Sequence, residues 1–185
     1  FLDCFGCDVD YSLGKNFADF ADQFSKDSRY RTELYKLRRK FMSHADGLIH
    51  ADLHTSNIMA SRDKMKVIDM EFAFMGPFGY DLGYLVGNLI SQYCAACFKR
   101  FPSEQSRKQF KAYLLATIKS LIETYMKTFT LCWEKSVKER YRGQQGLLQS
   151  ILQEVMVDMP GYASMVNWFR SVSEIPYPDF DVIEN

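Results

Sequence analysis

His50-Ala51-Asp52-Leu53-His54-Thr55-Ser56-Asn57, the stretch HADLHTSN at residues 50–57, gathers two of the chain's three histidines, an aspartate and an asparagine within eight positions. Further on, VIDMEFAF (residues 67–74) sets a second acid, Asp69, in an apolar run, with Glu71 two residues later. Between them, NIMA and KVID are rich in β-prone residues and SRDK reads as a turn, so residues 58–69 are predicted to form a short hairpin. Asn57 stands at its entry and Asp69 at its exit. Asp52 alone reads as a turn acid, and Asp69 alone as a strand-end cap. As a set flanked by strands, the functional reading is preferred.

Phosphoryl transfer asks for this set. An acceptor hydroxyl must be held in line, a group must take its proton, and Mg2+ must bridge the nucleotide phosphates. A loop carboxylate, ionised at neutral pH, accepts a hydroxyl hydrogen bond. Magnesium takes oxygen ligands and keeps substrate phosphates and water in its shell. Asp52 is therefore read as the base, Asn57 as a metal ligand and Asp69 as the principal metal ligand. Glu71 adds a second carboxylate if this segment is extended, because a period of two puts both on one face. Asp52 would also touch the acceptor, and Asn57 and Asp69 the nucleotide through its metal. His50 is read as a structural, loop-packing histidine. No helical pattern surrounds His50 and His54 to make them a metal-binding i, i+4 pair.

Away from this stretch the pattern is helical. NFADFADQFSK (16–26) spaces Phe17, Phe20 and Phe24 as a short amphipathic helix. YRTELYKLRRKFMSHA (30–45) aligns Leu34, Leu37 and Phe41, and its KLRRK cluster reads as a solvated face rather than a phosphate site. FMGPFGYD reads as a loop. Asp81 is placed to cap the next helix, LGYLVGNLISQYCAACFKR. Pro102 and Ser103 signal the start of a long helix, Glu104 to about Arg142, with Phe110, Leu114, Ile118, Ile122 and Tyr125 on one face. Gly143 interrupts. One more helix covers GLLQSILQEVMVD, and Pro160 separates it from another through YASMVNWFRSVS. The Pro-broken tail IPYPDFDVIEN is irregular. The fold class is mainly α with a small β-hairpin.

Composition narrows the partners. Lys plus Arg and Asp plus Glu both number 23, so no global field attracts nucleic acid or anionic lipid. No apolar run is long enough to span a membrane, and the acidic first residues lack the basic region of a secretory signal. Five cysteines include two C-x-x-C pairs, Cys4/Cys7 and Cys94/Cys97. Their separation is far from compact zinc-ribbon spacing, and Cys94 and Cys97 read as a buried helix face. Reduced thiols in a cytoplasmic protein are the default.

LIHADLHTSNIMA (48–60) followed by VIDMEFAFMGPFGYDLGYLVGNLI (67–90) resembles the aminoglycoside phosphotransferase and choline kinase superfamily, and within it the methylthioribose kinases. YKLRRKFMSHADGLIH upstream, and more weakly CWEKSVKERY and WFRSVSEIPYPDF downstream, extend the likeness from about residue 30. The resemblance implies the C-terminal lobe of a protein kinase-like α+β fold. Residues 47–83 would carry the catalytic loop and metal hairpin, and residues 84–185 the helical acceptor-binding part. It implies transfer of the ATP γ-phosphate to the 1-hydroxyl of 5-methylthioribose in methionine salvage, with ATP and Mg2+ as cofactors, and it points to a homodimer. By resemblance the base is Asp52, the metal-binding D-x-E is Asp69 and Glu71, and an arginine pair that holds the sugar falls on Phe169 and Arg170, leaving Arg170 alone as a substrate contact.

Ala51 stands where the family usually has Gly, Met70 where these kinases have Pro, and Asn57 where they often have Ser. The wider superfamily phosphorylates choline, homoserine and aminoglycosides, which are alternative acceptors. A non-catalytic, degenerate lobe acting as an interaction module is a further alternative. No G-x-G-x-x-G occurs and residues 1–46 do not read as a nucleotide-binding sheet. The nucleotide-binding lobe is expected to be absent from this chain, either because it is a fragment or because the lobe was lost, and the chain alone is expected to be inactive.

Overall fold

A computed structural model describes the protein at residue 23 and over residues 26–172. The tail from residue 173, Cys4, Cys7 and all but Gln23 and Lys26 of the expected first helix lie outside the described residues. Helix α1, Ser28–Ser43, starts two residues before the expected position because the Asp27 carboxylate accepts the N–H groups of Arg29 (2.8 Å) and Tyr30 (3.0 Å). It ends as His44 turns extended. Leu34 is buried, and Leu37 and Phe41 pack beside it. Most of KLRRK is exposed, as a solvated face should be. Among its cations Lys40 is the exception: its ammonium sits 2.5 Å from Glu154 and 2.6 Å from Asp158. Burial opposes that charge, but the two carboxylates outweigh it and raise the Lys40 pKa.

The expected hairpin forms. Strand β2, Ile58–Ala60, pairs antiparallel with β3, Met65–Val67, in the register Ile58 opposite Val67. A second antiparallel pair was not expected. Strand β1, Gly47–Ile49, pairs with β4, Phe74–Gly76, within the segment read as a loop. Glycines occupy one end of that ladder on both strands, Gly47 opposite Gly76, so local propensity hides it. Phe74 packs edge-on against Phe41 of α1 at 5.1 Å, which holds the ladder to the helical layer.

Helix α2 spans Gly79–Ala95, α3 Glu104–Ser136 and α4 Gln145–Val172. Ser103 caps α3 as expected, accepting the Ser106 N–H. Helix α3 stops before Arg142 because Val137 is extended; a short 3-10 turn, Glu139–Tyr141, and Gly143 at φ +76° lead into α4. Helix α4 corrects the expected break, since Pro160 lies inside it. An interior proline costs about 3 kcal/mol. Val155, Met159, Tyr162, Ala163, Met165 and Val166 around it are all buried, and each fully buried large apolar side chain contributes about 1.5–3 kcal/mol, so the packing prevails.

Close approach of α2 to α4 makes that packing possible. A Cβ on Gly83 would lie 2.6 Å from the Met159 carbonyl oxygen, and one on Gly87 2.8 Å from that of Ala163. Two clusters result. Leu34, Ile49, Tyr80, Tyr84, Tyr162, Met165 and Val166 join α1, β1, α2 and α4, with Ala51 and Phe74 against them. Leu82, Val86, Val155, Met159 and Ala163 form the second, which Ile118, Ile122 and Tyr125 of α3 cover. Cys94 and Cys97 are exposed, not buried: the buried face of α2 runs through Asn88, Ser91 and Ala95, and the two thiols fall off it. Among the described residues no helix is long and apolar enough to cross a membrane.

Candidate active site

The loop after β1 is built on a backbone conformation that its sequence does not favour. Ala51 has φ +68°, the left-handed region where a Cβ is disfavoured. This gives a physical reason why glycine would suit the position. Asp81 holds the loop in place. Its carboxylate accepts the His50 N–H at Oδ2 (2.6 Å) and the Ala51 N–H at Oδ1 (2.9 Å). Asp81 therefore does not cap its own helix; it lies inside the first turn of α2 and turns its charge on the neighbouring loop. Burial raises the Asp81 pKa above an ordinary aspartate's, with the two N–H groups and His50 pulling the other way.

A second clamp lies two turns along the same helix face. Asn88, fully buried, accepts through Oδ1 from both the Thr55 N–H (3.1 Å) and the Thr55 hydroxyl (2.7 Å). The sequence reading missed Asn88. The available signal was a lone amide in the apolar run YLVGNLI, since buried polar groups require partners. Residues 50–55 are thus pinned at both ends by α2, with Asp52 between.

Asp52 is partly open, its side chain 27% exposed. Its backbone N–H donates to His50 Nδ1 (3.3 Å), and its carbonyl accepts from the Asn57 amide Nδ2 (3.0 Å). His54 Nε2 lies 3.4 Å from Asp52 Oδ2, a contact the sequence reading did not assign. His50 is buried, as expected of a packing residue. Its Nε2–H donates to the Ile68 carbonyl (2.8 Å), while Ile68 N–H donates to the Asn57 carbonyl (3.0 Å). These bonds tie the loop of residues 50–57 to the hairpin exit, so Asp69 follows directly on a residue bonded to His50 and Asn57.

Asp69 itself is exposed at φ +65° and Glu71 is exposed in the turn that follows, so the segment is not extended and the expected period-two alignment of the two carboxylates does not hold. The Asn57 side chain is buried and spends its NH2 on Asp52, which leaves its Oδ1 as an oxygen donor. Among the described residues no three His, Cys, Asp or Glu side chains are grouped so as to hold a metal ion. An amide oxygen with one or two carboxylates is the partial oxygen set that suits Mg2+, which completes its shell with phosphates and water. Arg170 is buried near the end of α4. It lies one turn beyond Val166, a member of the first buried cluster, and so shares that helix face.

Comparison with known proteins identifies the family. Residues 9–121 match the phosphotransferase enzyme family. Methylthioribose kinases of Geobacillus thermodenitrificans and Geobacillus kaustophilus are each 35% identical to this chain, covering 85% and 86% of it and 37% and 38% of their own lengths. That of Pectobacterium atrosepticum is 30% identical over 80% of this chain and 36% of its own length. The chain spans well under half of the curated relatives it matches. The fold is mainly helical with small antiparallel strand pairs, as the C-terminal lobe of a kinase-like phosphotransferase requires. With more than half of its residues within the family match, the chain belongs to the phosphotransferase enzyme family.

Proposed function

We propose that the protein is a small-molecule kinase that transfers the γ-phosphate of ATP to the 1-hydroxyl of 5-methylthioribose, a step of methionine salvage. The observation that carries this reading is the double clamp, Asp81 on residues 50–51 and Asn88 on Thr55, which presents a partly open Asp52 carboxylate on a fixed loop. Pre-set geometry is the main protein contribution to phosphoryl transfer.

Asp52 accepts the acceptor hydroxyl's hydrogen bond and takes its proton as the oxygen attacks phosphorus. His54 engages Oδ2 and orients the carboxylate. Asn57, Asp69 and Glu71 would hold Mg2+, which neutralises charge on the transferring phosphoryl group when bound. Arg170 holds the sugar through charge-assisted hydrogen bonds.

The test is a screen of hydroxylated acceptors with ATP and Mg2+ using the complete gene product. Turnover of 5-methylthioribose above choline, homoserine and an aminoglycoside supports the reading. Preference for another acceptor overturns the substrate, and Phe169 in place of a second arginine is the feature that would account for it. No turnover of any acceptor favours a non-catalytic lobe.

A further inference from the structure

Cys94 and Cys97 take no part in the hydrogen bonds that hold residues 50–55. The two thiols are exposed and free, Cys94 in the last turn of α2 and Cys97 two residues past its end. A single hydrogen-bonded turn joins them, with the Cys97 N–H donating to the Cys94 carbonyl (3.0 Å). On such a helical turn, residues three apart have Cα atoms about 5 Å from each other, within the roughly 4.4–6.8 Å that a disulfide bridges. The Lys111 ammonium, from α3, donates to Cys97 Sγ at 3.2 Å and sits 4.3 Å from the centre of the Tyr93 ring. The contact with Cys97 raises the Lys111 pKa, so the lysine keeps its charge beside the sulfur. Cys132, the remaining described cysteine, is also exposed.

We propose that Cys97, Cys94 and Lys111 form a dithiol site that undergoes exchange with small-molecule disulfides, with Cys97 as the attacking thiol and Cys94 as the resolving thiol. Lys111 is placed to stabilise the negative charge on Cys97 as the proton leaves, and a thiolate is the nucleophile in exchange. Cys97 sulfur attacks a disulfide R–S–S–R. The Cys97–S–R bond forms, the R–S–S–R bond breaks, and R–S⁻ departs and takes up a proton. Cys94, losing its proton, then attacks Cys97 sulfur and expels the second R–S⁻. Two protein thiols are oxidised to one disulfide, and one small disulfide is reduced to two thiols.

The test uses the whole chain with glutathione disulfide at graded concentrations, acid quenching and tryptic mass mapping. Trypsin places Cys94 and Cys97 together in peptide 67–99, Cys132 in 128–135, and Cys4 with Cys7 in 1–15, so one digest compares all five thiols. Peptide 67–99 should lose two hydrogens before Cys132 is modified. Cys94→Ser should trap glutathione on Cys97 about tenfold faster than Cys97→Ser traps it on Cys94. Lys111→Met should slow the trapping on Cys97 in the Cys94→Ser background several-fold, and Lys111→Arg should restore it. Circular dichroism checks that each variant is folded. Equal trapping on Cys94 and Cys97, equal modification of Cys132, or no effect of Lys111→Met overturns the proposal.

Discussion

Asp81 Oδ1 accepts the Ala51 N–H at 2.9 Å and thereby holds an alanine at φ +68° beside the candidate base. A non-glycine residue in the left-handed region costs about 1–2 kcal/mol, and it persists because the surrounding bonds define the loop. The strain and the clamp are two sides of one arrangement, and each can be tested.

At residue 51, relief and aggravation of the strain should have opposite consequences. Ala51→Gly should leave stability unchanged or raise it by about 0.5 kcal/mol, since removal of the strain is partly offset by glycine's larger unfolded-state entropy. Ala51→Val should lower it by about 1–3 kcal/mol. Urea midpoints of the three proteins check this. A valine variant as stable as the parent would contradict the left-handed assignment.

At residue 81, an amide has one acceptor oxygen where the carboxylate has two. Asp81→Asn should leave one N–H of His50 or Ala51 without its acceptor and cost about 1–3 kcal/mol. The pH dependence follows from the raised folded pKa. A carboxyl whose folded value lies above its unfolded value contributes stability that is fully present below the unfolded pKa, near 3.8, and lost as pH rises through the folded value. The parent should therefore gain stability over the Asn variant as pH falls from 7 toward 4. Denaturant midpoints across that range check it, and a constant difference would contradict it.

At residue 83, a methyl group has no room. Gly83→Ala places a Cβ within 2.6 Å of the Met159 carbonyl and 2.7 Å of Tyr162 Cβ. The helices must separate, at about 1–3 kcal/mol. Gly146→Ala, with nothing within 4 Å of the new atom, is the control and should not destabilise. Thermal melts distinguish the two.

The hairpin and the helix start at Ser103 were legible because their signals are local. NIMA, SRDK and KVID carry strand, turn and strand within thirteen residues, and Ser103 caps its own helix. What escaped was non-local. Gly47 and Gly76 pair across nearly thirty residues in a ladder of three, with no β-branched run to announce it. Pro160 reads as a stop, and only the glycine face of α2 brings enough packing to carry the helix through it.

At the site, Asp52 and Asn57 stood out by type and spacing, and their backbone tie through Asn57 Nδ2 is now explicit. The roles of Asp81 and Asn88 depended on knowing which segment α2 faces. Asp81 has the sequence signature of an N-cap, but its partners are thirty residues away. The cysteines were misplaced because the helix's buried face passes through the polar Asn88 and Ser91 rather than the apolar thiols.

The most direct test is the turnover of Asp52→Ala in the complete gene product with ATP, Mg2+ and 5-methylthioribose, alongside a check that the variant stays folded. Loss of a general base should lower kcat by about 10²–10⁴-fold with little change in KM. A folded Asp52→Ala protein that turns over as fast as the parent would contradict the assignment of the base.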